Sequence, residues 1–402
     1  MERSRTEKID RIEDVERSEY QIDPKSDRKN LVVIVVDALR PDHLGIFGYR
    51  RDTTPNLRAL QKSGMMRQVS GMRSSCAQSR CGLLSLTTSK FVHQLSNRPF
   101  TLQQILKRHG YRIHMILGGD HTNFYGLKEH YGDVDSYFDG LQAIYFYFND
   151  DRLVVDRAKS LAEWDGNPVM FQFHLMSAHV MGKRHDEFIR YRPAGSYVFS
   201  RNRDDAWLER SINYYDNGVL QSDAIIHELL EILKAKKFLD NSLVVITSDH
   251  GEEMGERGMF GHGNRVYDEV LRISFVLLSY GYAPPNLHDH RHGASQVDIA
   301  RTILEEFGMI RPSTWAGSPL QKSARRRYTY FQEDQEVGLI DNRDQKNVQK
   351  FWINIKSGEE RTFNLSVYSK ERHNAIASLQ SEYLQSVRSH LMELNSVAHR
   401  PR

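Results

Sequence analysis

Carboxylate and imidazole side chains follow two apolar runs of this sequence. Asp37 comes directly after Leu31–Val36, and Asp249 and His250 come just after Leu243–Thr247. Apolar runs of this kind predict buried strands of a parallel sheet. Because the carboxyl ends of such strands meet at one edge of the sheet, we expect the three side chains to lie together there. In a dry crevice these groups need a divalent cation to neutralise them, so the sequence predicts a metal-dependent enzyme.

A second candidate group is Cys76 with Arg80, in the segment Ser74–Gly82 before a predicted helix. The positive end of the helix dipole and the nearby amide groups favour a nucleophile at this position. Arg80 could hold an anion or orient residue 76. The alternative is that Cys76 and Cys81 are small buried residues that pack the start of the helix, and the local sequence favours neither interpretation.

Two histidines are further candidates. His179 comes after a predicted strand at Val169–Leu175, and His262 lies thirteen residues after Asp249, between two glycines. Either could protonate a leaving oxygen or bind an anion. The chain has 18 histidines, so most of them are expected to serve other purposes. The histidines predicted to be non-catalytic include His114, His121, His174 and His185.

Composition excludes several classes of protein. A hydrophobic fraction of 39% supports a sizeable core, and the net charge of +3 gives no support for nucleic acid binding. No apolar stretch approaches ~20 residues, so no transmembrane segment is expected. The two cysteines exclude a disulfide scaffold and indicate a reducing compartment. We therefore expect a cytoplasmic protein, unless a signal or anchor has been trimmed from the sequence.

Strands and helices alternate along most of the chain, which predicts an α/β fold with a mostly parallel central sheet flanked by helices. Residues 1–29 are charged and are expected to form a loosely held N-terminal arm, while residues 30–311 form the catalytic domain. Short strand-like runs without intervening helices, such as Tyr328–Gln332 and Val337–Asp341, follow. Residues 312–402 therefore predict a small C-terminal α+β subdomain with antiparallel strands and a helix.

Taken in order, these motifs resemble the sulfatase branch of the alkaline phosphatase superfamily over most of residues 30–310. Asp37 is similar to the first metal-binding Asp of that family, and Asp249 with His250 to its later metal ligands. Cys76-Ala77-Gln78-Ser79-Arg80 resembles the Cys-x-Pro-Ser-Arg signature, whose cysteine is oxidised to formylglycine. The sequence departs from the family pattern where Ala38 replaces a second Asp and where Gln78 replaces the signature Pro.

The resemblance implies an alkaline phosphatase-like fold and a sulfatase-type hydrolase that cleaves a sulfate ester. One divalent cation would be held by Asp37, Asp249, His250 and the oxygen of modified Cys76. Ca²⁺ is the expected ion, and Mn²⁺ or Zn²⁺ are alternatives. The formylglycine-generating enzyme would be a partner, and the substrate would be a small-molecule or glycan sulfate or phosphate ester.

In that scheme the formylglycine hydrate at position 76 attacks sulfur or phosphorus, and Arg80 steadies the hydrate. His179 and His262 bind the anion or protonate the departing oxygen. The three side chains therefore complete the predicted catalytic set with residue 76.

Other features resemble the phosphoethanolamine and phosphoglycerol transferases, a sister branch that uses a Thr nucleophile. They are Gly118-Gly119 with Phe124, the stretch His174–His179, Tyr215-Asp216-Asn217 and Gly261-His262-Gly263. A transferase of this type is therefore an alternative on the same scaffold. The single-Asp, Asp-His metal site beside a Cys-derived nucleophile also resembles phosphodiesterases and phosphonate monoester hydrolases of the superfamily, which are further alternatives. A non-catalytic, anion-binding family member is a further alternative, motivated by the two departures from the family pattern.

Overall fold

A computed structural model gives the structure of the chain. It describes all residues except 1, 143–148, 198–203, 264, 289–291, 325, 367–370, 372–373, 376–378 and 397–402.

The strands are, in chain order, β1 (Asn30–Val36), β2 (Met66–Gln68), β3 (Arg112–Leu117), β4 (Ser136–Phe138), β5 (Val169–Leu175), β6 (Ser242–Thr247), β7 (Glu253–Met254), β8 (Phe260–Gly261), β9 (Phe275–Tyr280), β10 (Tyr328–Glu333), β11 (Glu336–Asp341), β12 (Gln349–Asn354) and β13 (Glu360–Asn364). The α-helices are α1 (Glu2–Glu19), α2 (Pro55–Lys62), α3 (Ser79–Thr88), α4 (Leu102–Arg108), α5 (Leu127–His130), α6 (Asp151–Lys159), α7 (Asp205–Ala235), α8 (Asp268–Leu271), α9 (Val297–Glu306) and α10 (Ser381–Ser396).

The central sheet has seven strands in the order β2-β9-β6-β1-β5-β3-β4. The five strands from β6 to β4 run parallel, whereas β9 is antiparallel to both of its neighbours. Strand β1 lies in the middle, where Leu31 pairs with Leu243 of β6 and with Met170 of β5. The predicted mostly parallel α/β sheet is confirmed.

Helices cover both faces of this sheet. Alternate side chains of β1 enter two different hydrophobic clusters, with Leu31 in one and Val32 in the other. The first cluster includes residues of α3, α4 and α9, and the second includes residues of α2, α6 and α7. Because both faces of the sheet are buried, β1 at its centre is apolar from Leu31 to Val36.

The N-terminal segment is more ordered than the loosely held arm that its charge predicts. Most of it forms α1, and two buried carboxylates of this helix, those of Asp10 and Glu13, bind groups of the domain that contains the central sheet. The Glu13 carboxylate pairs with Lys90, 2.5 Å away, and Asp10 Oδ1 accepts a hydrogen bond of 3.0 Å from the amide of Asn97. A charged helix can therefore dock here because partners for its charges already line the surface beneath it.

The C-terminal residues form an antiparallel sheet, β10-β11-β12-β13, as predicted, with α10 packed against it through Leu384 and Val387. The C-terminal sheet also contacts the domain that contains the central sheet, where Phe331 joins a hydrophobic cluster that includes Ala77. This contact brings the end of β10 beside the residues that precede α3. In the described part of the chain, none of the helices combines the length and the apolar composition that a bilayer crossing requires.

Candidate metal centre

Asp37, Asp249 and His250 converge at the carboxyl edge of the central sheet. Asp37 follows β1 and Asp249 follows the adjacent parallel strand β6, which explains how residues so distant in sequence meet. Their ligand atoms all lie within 4.8 Å of one another, and all three residues are buried. We call these three residues the metal-ligand cluster.

The metal-ligand cluster contains polar atoms that the protein leaves without partners. Asp37 Oδ1 and Asp249 Oδ2 are buried and make no hydrogen bond. Burial, with the charge of Asp249 adding to it, raises the pKa of Asp37 well above its usual value. Two carboxylates forced together in this way are costly unless a cation compensates them, so the donor set fits a divalent metal ion.

The main chain fixes the orientation of these ligands. The carbonyl oxygen of Gly251 lies 2.8 Å from His250 Nδ1, so the proton is on Nδ1 and the lone pair is on Nε2. Asp249 Oδ1 accepts hydrogen bonds from the amides of Ala38, at 3.2 Å, and of His250, at 3.0 Å. Ala38 has a φ of 59°, a strained value that aims its amide at Asp249.

A further histidine, His174, faces the same point. Its Nε2 atom lies 3.8 Å from Asp37 Oδ2 and 3.9 Å from Asp249 Oδ2, is buried, and makes no hydrogen bond. The sequence predicts a non-catalytic His174, but the structure places its ring beside Asp37 and Asp249 as a fourth candidate ligand. The signal that could have identified it is a titratable residue near the end of a strand that is buried on both faces.

The side chain that contacts the metal-ligand cluster from α3 is that of Ser79. As the first residue of the helix, it places Oγ 3.2 Å from His250 Nε2 and 3.5 Å from Asp37 Oδ2. Cys76 lies before the helix and forms a disulfide with Cys81. Cys76, the predicted source of the nucleophile, is therefore not a free thiol, and the hydroxyl group that lies beside the predicted metal ligands is that of Ser79.

The disulfide bears on two expectations. Formylglycine forms from a free cysteine, which the Cys76–Cys81 bond removes. The bond also removes the basis for expecting a reducing compartment, because that inference assumed free thiols. Close packing holds this segment near the ligands, since a Cβ atom at Gly82 would lie only 2.4 Å from the carbonyl oxygen of Asp249.

His179, Glu252 and His262 form a second group, which we call the histidine–glutamate cluster. His262 Nδ1 donates to Glu252 Oε1 at 2.9 Å, and the hydroxyl group of Tyr197 donates to Glu252 Oε2 at 2.8 Å. Burial alone would lower the pKa of His262, but the Glu252 carboxylate outweighs it and raises that pKa to about 9. Burial lowers the pKa of His179 to about 3, so this ring is neutral.

One cavity of about 470 Å³ joins the two clusters. The functional candidates in its lining are Asp37, Ser79, His174, His179 and His262.

Arg80 faces a separate cavity of about 420 Å³. Its guanidinium carbon lies 5.3 Å from the ring centre of Tyr125, and Gln78 and Glu333 line the same space. The structure therefore separates Arg80 from the metal-ligand cluster and from the histidine–glutamate cluster, and Cys81, the disulfide partner of Cys76, lines the same cavity as Arg80. The sequence predicts no role for Ser79 or Glu252, although Ser79 lies within the segment Ser74–Gly82 and Glu252 is two residues after His250.

A family model described as Sulfatase matches residues 29–309. The chain belongs to the sulfatase family. Among curated relatives, phosphoethanolamine transferase EptA of Salmonella typhimurium is 25% identical over 258 residues, which is 62% of this chain and 46% of EptA. The chain thus spans about half the length of the curated relatives that it matches.

Solved structures share the fold across two functional branches. The periplasmic domain of EptC from Escherichia coli, in a complex with Zn, has a TM-score of 0.64 at 18% identity, covering 81% of this chain and 95% of that one. BT4656, solved with its substrate D-glucosamine-2-N,6-O-disulfate, has a TM-score of 0.73 at 15% identity, covering 92% of this chain and 98% of that one. At these identities the likeness establishes the fold alone.

Proposed function

We propose that this protein is a metal-dependent transferase of phosphoethanolamine-type groups that uses Ser79 as its nucleophile. The observation that carries the proposal is the contact of Ser79 Oγ with Asp37 and His250, whose cluster retains unpartnered buried atoms. The curated relatives named as phosphoethanolamine transferases support this branch over the sulfatase branch.

Asp37, Asp249, His250 and His174 would hold the metal ion. Two carboxylates with two imidazoles favour Zn²⁺ or Mn²⁺, whereas the expected Ca²⁺ takes six to eight oxygen ligands. When bound, the ion would lower the pKa of the Ser79 hydroxyl group, which loses its proton to solvent, and would polarise a phosphoryl oxygen of the substrate.

The reaction then proceeds in two steps, transfer of the phosphoryl group to Ser79 and its transfer from Ser79 to an acceptor. In the first, Ser79 Oγ forms a bond to phosphorus, and the bond between phosphorus and the donor alcohol oxygen breaks. His262, charged through its ion pair with Glu252, gives a proton to that departing oxygen. The neutral ring of His179 lies beside that of His262, with the two ring centres 5.2 Å apart, and can donate a hydrogen bond to the phosphoryl group.

In the second step, the hydroxyl group of an acceptor attacks the phosphoserine at residue 79. The acceptor proton passes to the now neutral His262, the bond between Ser79 Oγ and phosphorus breaks, and both side chains return to their starting states. Water in place of the acceptor gives hydrolysis. The reaction class is therefore set by which acceptor occupies the cavity.

Hydrolysis of a sulfate ester is the second candidate, favoured by the family model and by the resemblance of residues 76–80 to the sulfatase signature. It requires Cys76 to be released from its disulfide and oxidised. The chemical state of residue 76 in the purified protein therefore separates the two candidates.

The test is turnover by the Zn²⁺-loaded protein of two chromogenic probes, a nitrophenyl phosphodiester and nitrophenyl sulfate. We expect release of nitrophenol from the phosphodiester, and peptide mass spectrometry of quenched samples should find the phosphoryl adduct on Ser79. Ser79→Ala should abolish both signals, whereas Ser63→Ala, at an exposed serine, should leave them unchanged. An aldehyde at residue 76 with sulfate turnover would instead establish the sulfatase.

A further inference from the structure

One carboxylate of the C-terminal sheet, that of Glu333, contacts the segment that leads into Ser79, the proposed nucleophile. Glu333 is the last residue of β10 and lies outside residues 29–309, the part of the chain that matches the family model. It is only 4% exposed and lies against Ala77 and Gln78, immediately before Ser79. No step proposed above assigns it a role.

Both oxygens of this carboxylate are used on the segment before α3. Glu333 Oε2 accepts a hydrogen bond of 2.9 Å from the amide of Ala77, and Oε1 accepts one from the side-chain amide of Gln78. The neighbouring residue adds a third contact, because the amide of Gln332 donates to the carbonyl oxygen of Ser75 at 2.9 Å. The end of β10 thus forms hydrogen bonds with three of the four residues before Ser79.

The helix itself leaves this segment in need of support. Gln78 is the N-cap of α3, with extended backbone angles of −155° and 159°, but its side chain makes no capping hydrogen bond. That side chain points instead to Glu333. The first turn of α3 therefore lacks the capping interaction that normally fixes a helix start, and the carboxylate of another element holds it in place.

We propose that Glu333 is a positioning residue for Ser79, an inference that rests on the proposed function. By fixing Ala77 and Gln78, it holds Ser79 Oγ towards Asp37 and His250. Glu333 lines the cavity that contains Arg80 and is absent from the lining of the cavity that joins the two clusters, so its effect on the proposed reaction passes through the chain segment before Ser79. The catalytic domain consequently depends on the C-terminal sheet for the geometry of its nucleophile.

The test is Glu333→Ala in the full chain loaded with Zn²⁺. We expect kcat for the phosphodiester probe to fall on the order of 10- to 100-fold, as displacement of a reacting group typically causes. Zn²⁺ affinity and KM should stay close to those of the parent protein, because the metal ligands and the lining of the cavity that joins the two clusters are untouched. Steady-state kinetics gives kcat and KM, titration calorimetry gives the Zn²⁺ affinity, and thermal melting reports the stability of the fold.

Glu336→Ala is the matched control. Glu336 pairs with Glu333 across the same hairpin and is equally buried, but its carboxylate binds Arg265 at 2.7 Å and does not contact the segment before α3. It should lower the melting temperature of the protein without lowering kcat. Equal losses of kcat in the two variants would show a general effect on folding and would overturn the inference.

Glu333→Gln tests the hydrogen bonds themselves. Its amide oxygen can accept from Ala77, and its amide nitrogen can donate to Gln78 once that side-chain amide turns over, so most of kcat should return. Failure of this rescue, or an undiminished kcat in Glu333→Ala, overturns the inference alone. Absence of turnover in the parent protein, or turnover that survives Ser79→Ala, overturns the proposed function and this inference with it.

Discussion

The metal-ligand cluster and the histidine–glutamate cluster lie side by side, with the rings of His250 and His262 4.2 Å apart, yet their polar atoms are satisfied differently. In the first, Asp37 and Asp249 each keep a buried oxygen without a hydrogen bond. In the second, both oxygens of Glu252 have partners from the protein.

The difference indicates two kinds of task. Unpartnered carboxylate oxygens are costly in a buried site, and a cation is the simplest group that removes the cost. A carboxylate that already holds a histidine and a tyrosine can do its work without a cation, by keeping an imidazole charged and oriented. We therefore expect mutations in the first cluster to act through metal binding and those in the second to act through proton transfer.

The largest expected effect is that of Asp249→Asn. Loss of one carboxylate removes a direct ligand, so bound Zn²⁺ should disappear and kcat should fall on the order of 10³-fold. Metal analysis and steady-state kinetics on one sample check this. Asp223→Asn, at a buried carboxylate that binds main-chain amides of α2, should keep its metal. Full metal content in Asp249→Asn would contradict the assignment of this cluster.

His262→Gln should be the next most severe change. It removes the proposed proton donor, which typically contributes about 10²- to 10⁴-fold to the rate, but it leaves the metal ligands intact. The variant should therefore bind Zn²⁺ normally and lose kcat by about 10²-fold or more. His227→Gln, at an exposed histidine, serves as the control. Loss of metal in His262→Gln would mean that His262 supports metal binding, and would contradict the division between a metal-binding and a proton-transferring cluster.

His174→Gln tests whether the fourth candidate ligand belongs with the first cluster. We expect Zn²⁺ affinity to weaken by about 10- to 100-fold, the range found for groups that support a metal site, with kcat restored at saturating metal. Titration calorimetry measures the affinity. His114→Gln, at a half-buried histidine that forms a hydrogen bond with Ser136, should leave the Zn²⁺ affinity unchanged. An unchanged affinity in His174→Gln would remove this residue from the site.

Tyr197→Phe should have the smallest effect. It deletes one hydrogen bond to Glu252, so His262 is held less firmly and kcat should fall about tenfold while metal content stays normal. Tyr49→Phe removes a similar bond, of 2.8 Å, to Asp216 and should leave kcat unchanged. A loss as large as that of His262→Gln would show that Tyr197 itself takes part in the chemistry.

The sequence predicted the parts of the site that depend on strand ends. The apolar runs before Asp37 and Asp249 identify buried parallel strands, and adjacent parallel strands deliver the residues after them to one place. The alternation of strands and helices likewise predicted the sheet that positions them. These are local patterns with a fixed geometric consequence.

The proposed nucleophile, Ser79, was not predictable in the same way. The sequence pointed to Cys76, but α3 begins at Ser79, and the residue that faces the ligands depends on where the first helical turn starts. Cys76 lies in the segment before the helix, so the composition of this segment does not determine which of the two side chains faces the ligands. The disulfide between Cys76 and Cys81 also forms at this helix start, because Cys81 is the third residue of α3.

By itself, the sequence determined the strands of the central sheet and the residues that follow them, because periodicity and polarity are properties of short segments. Only the tertiary structure decided that Ser79 meets the ligands, that His174 joins them, and that Glu333 reaches Gln78 from 255 positions away. Contacts at such separations arise from how whole elements pack, and no short segment of a chain encodes them.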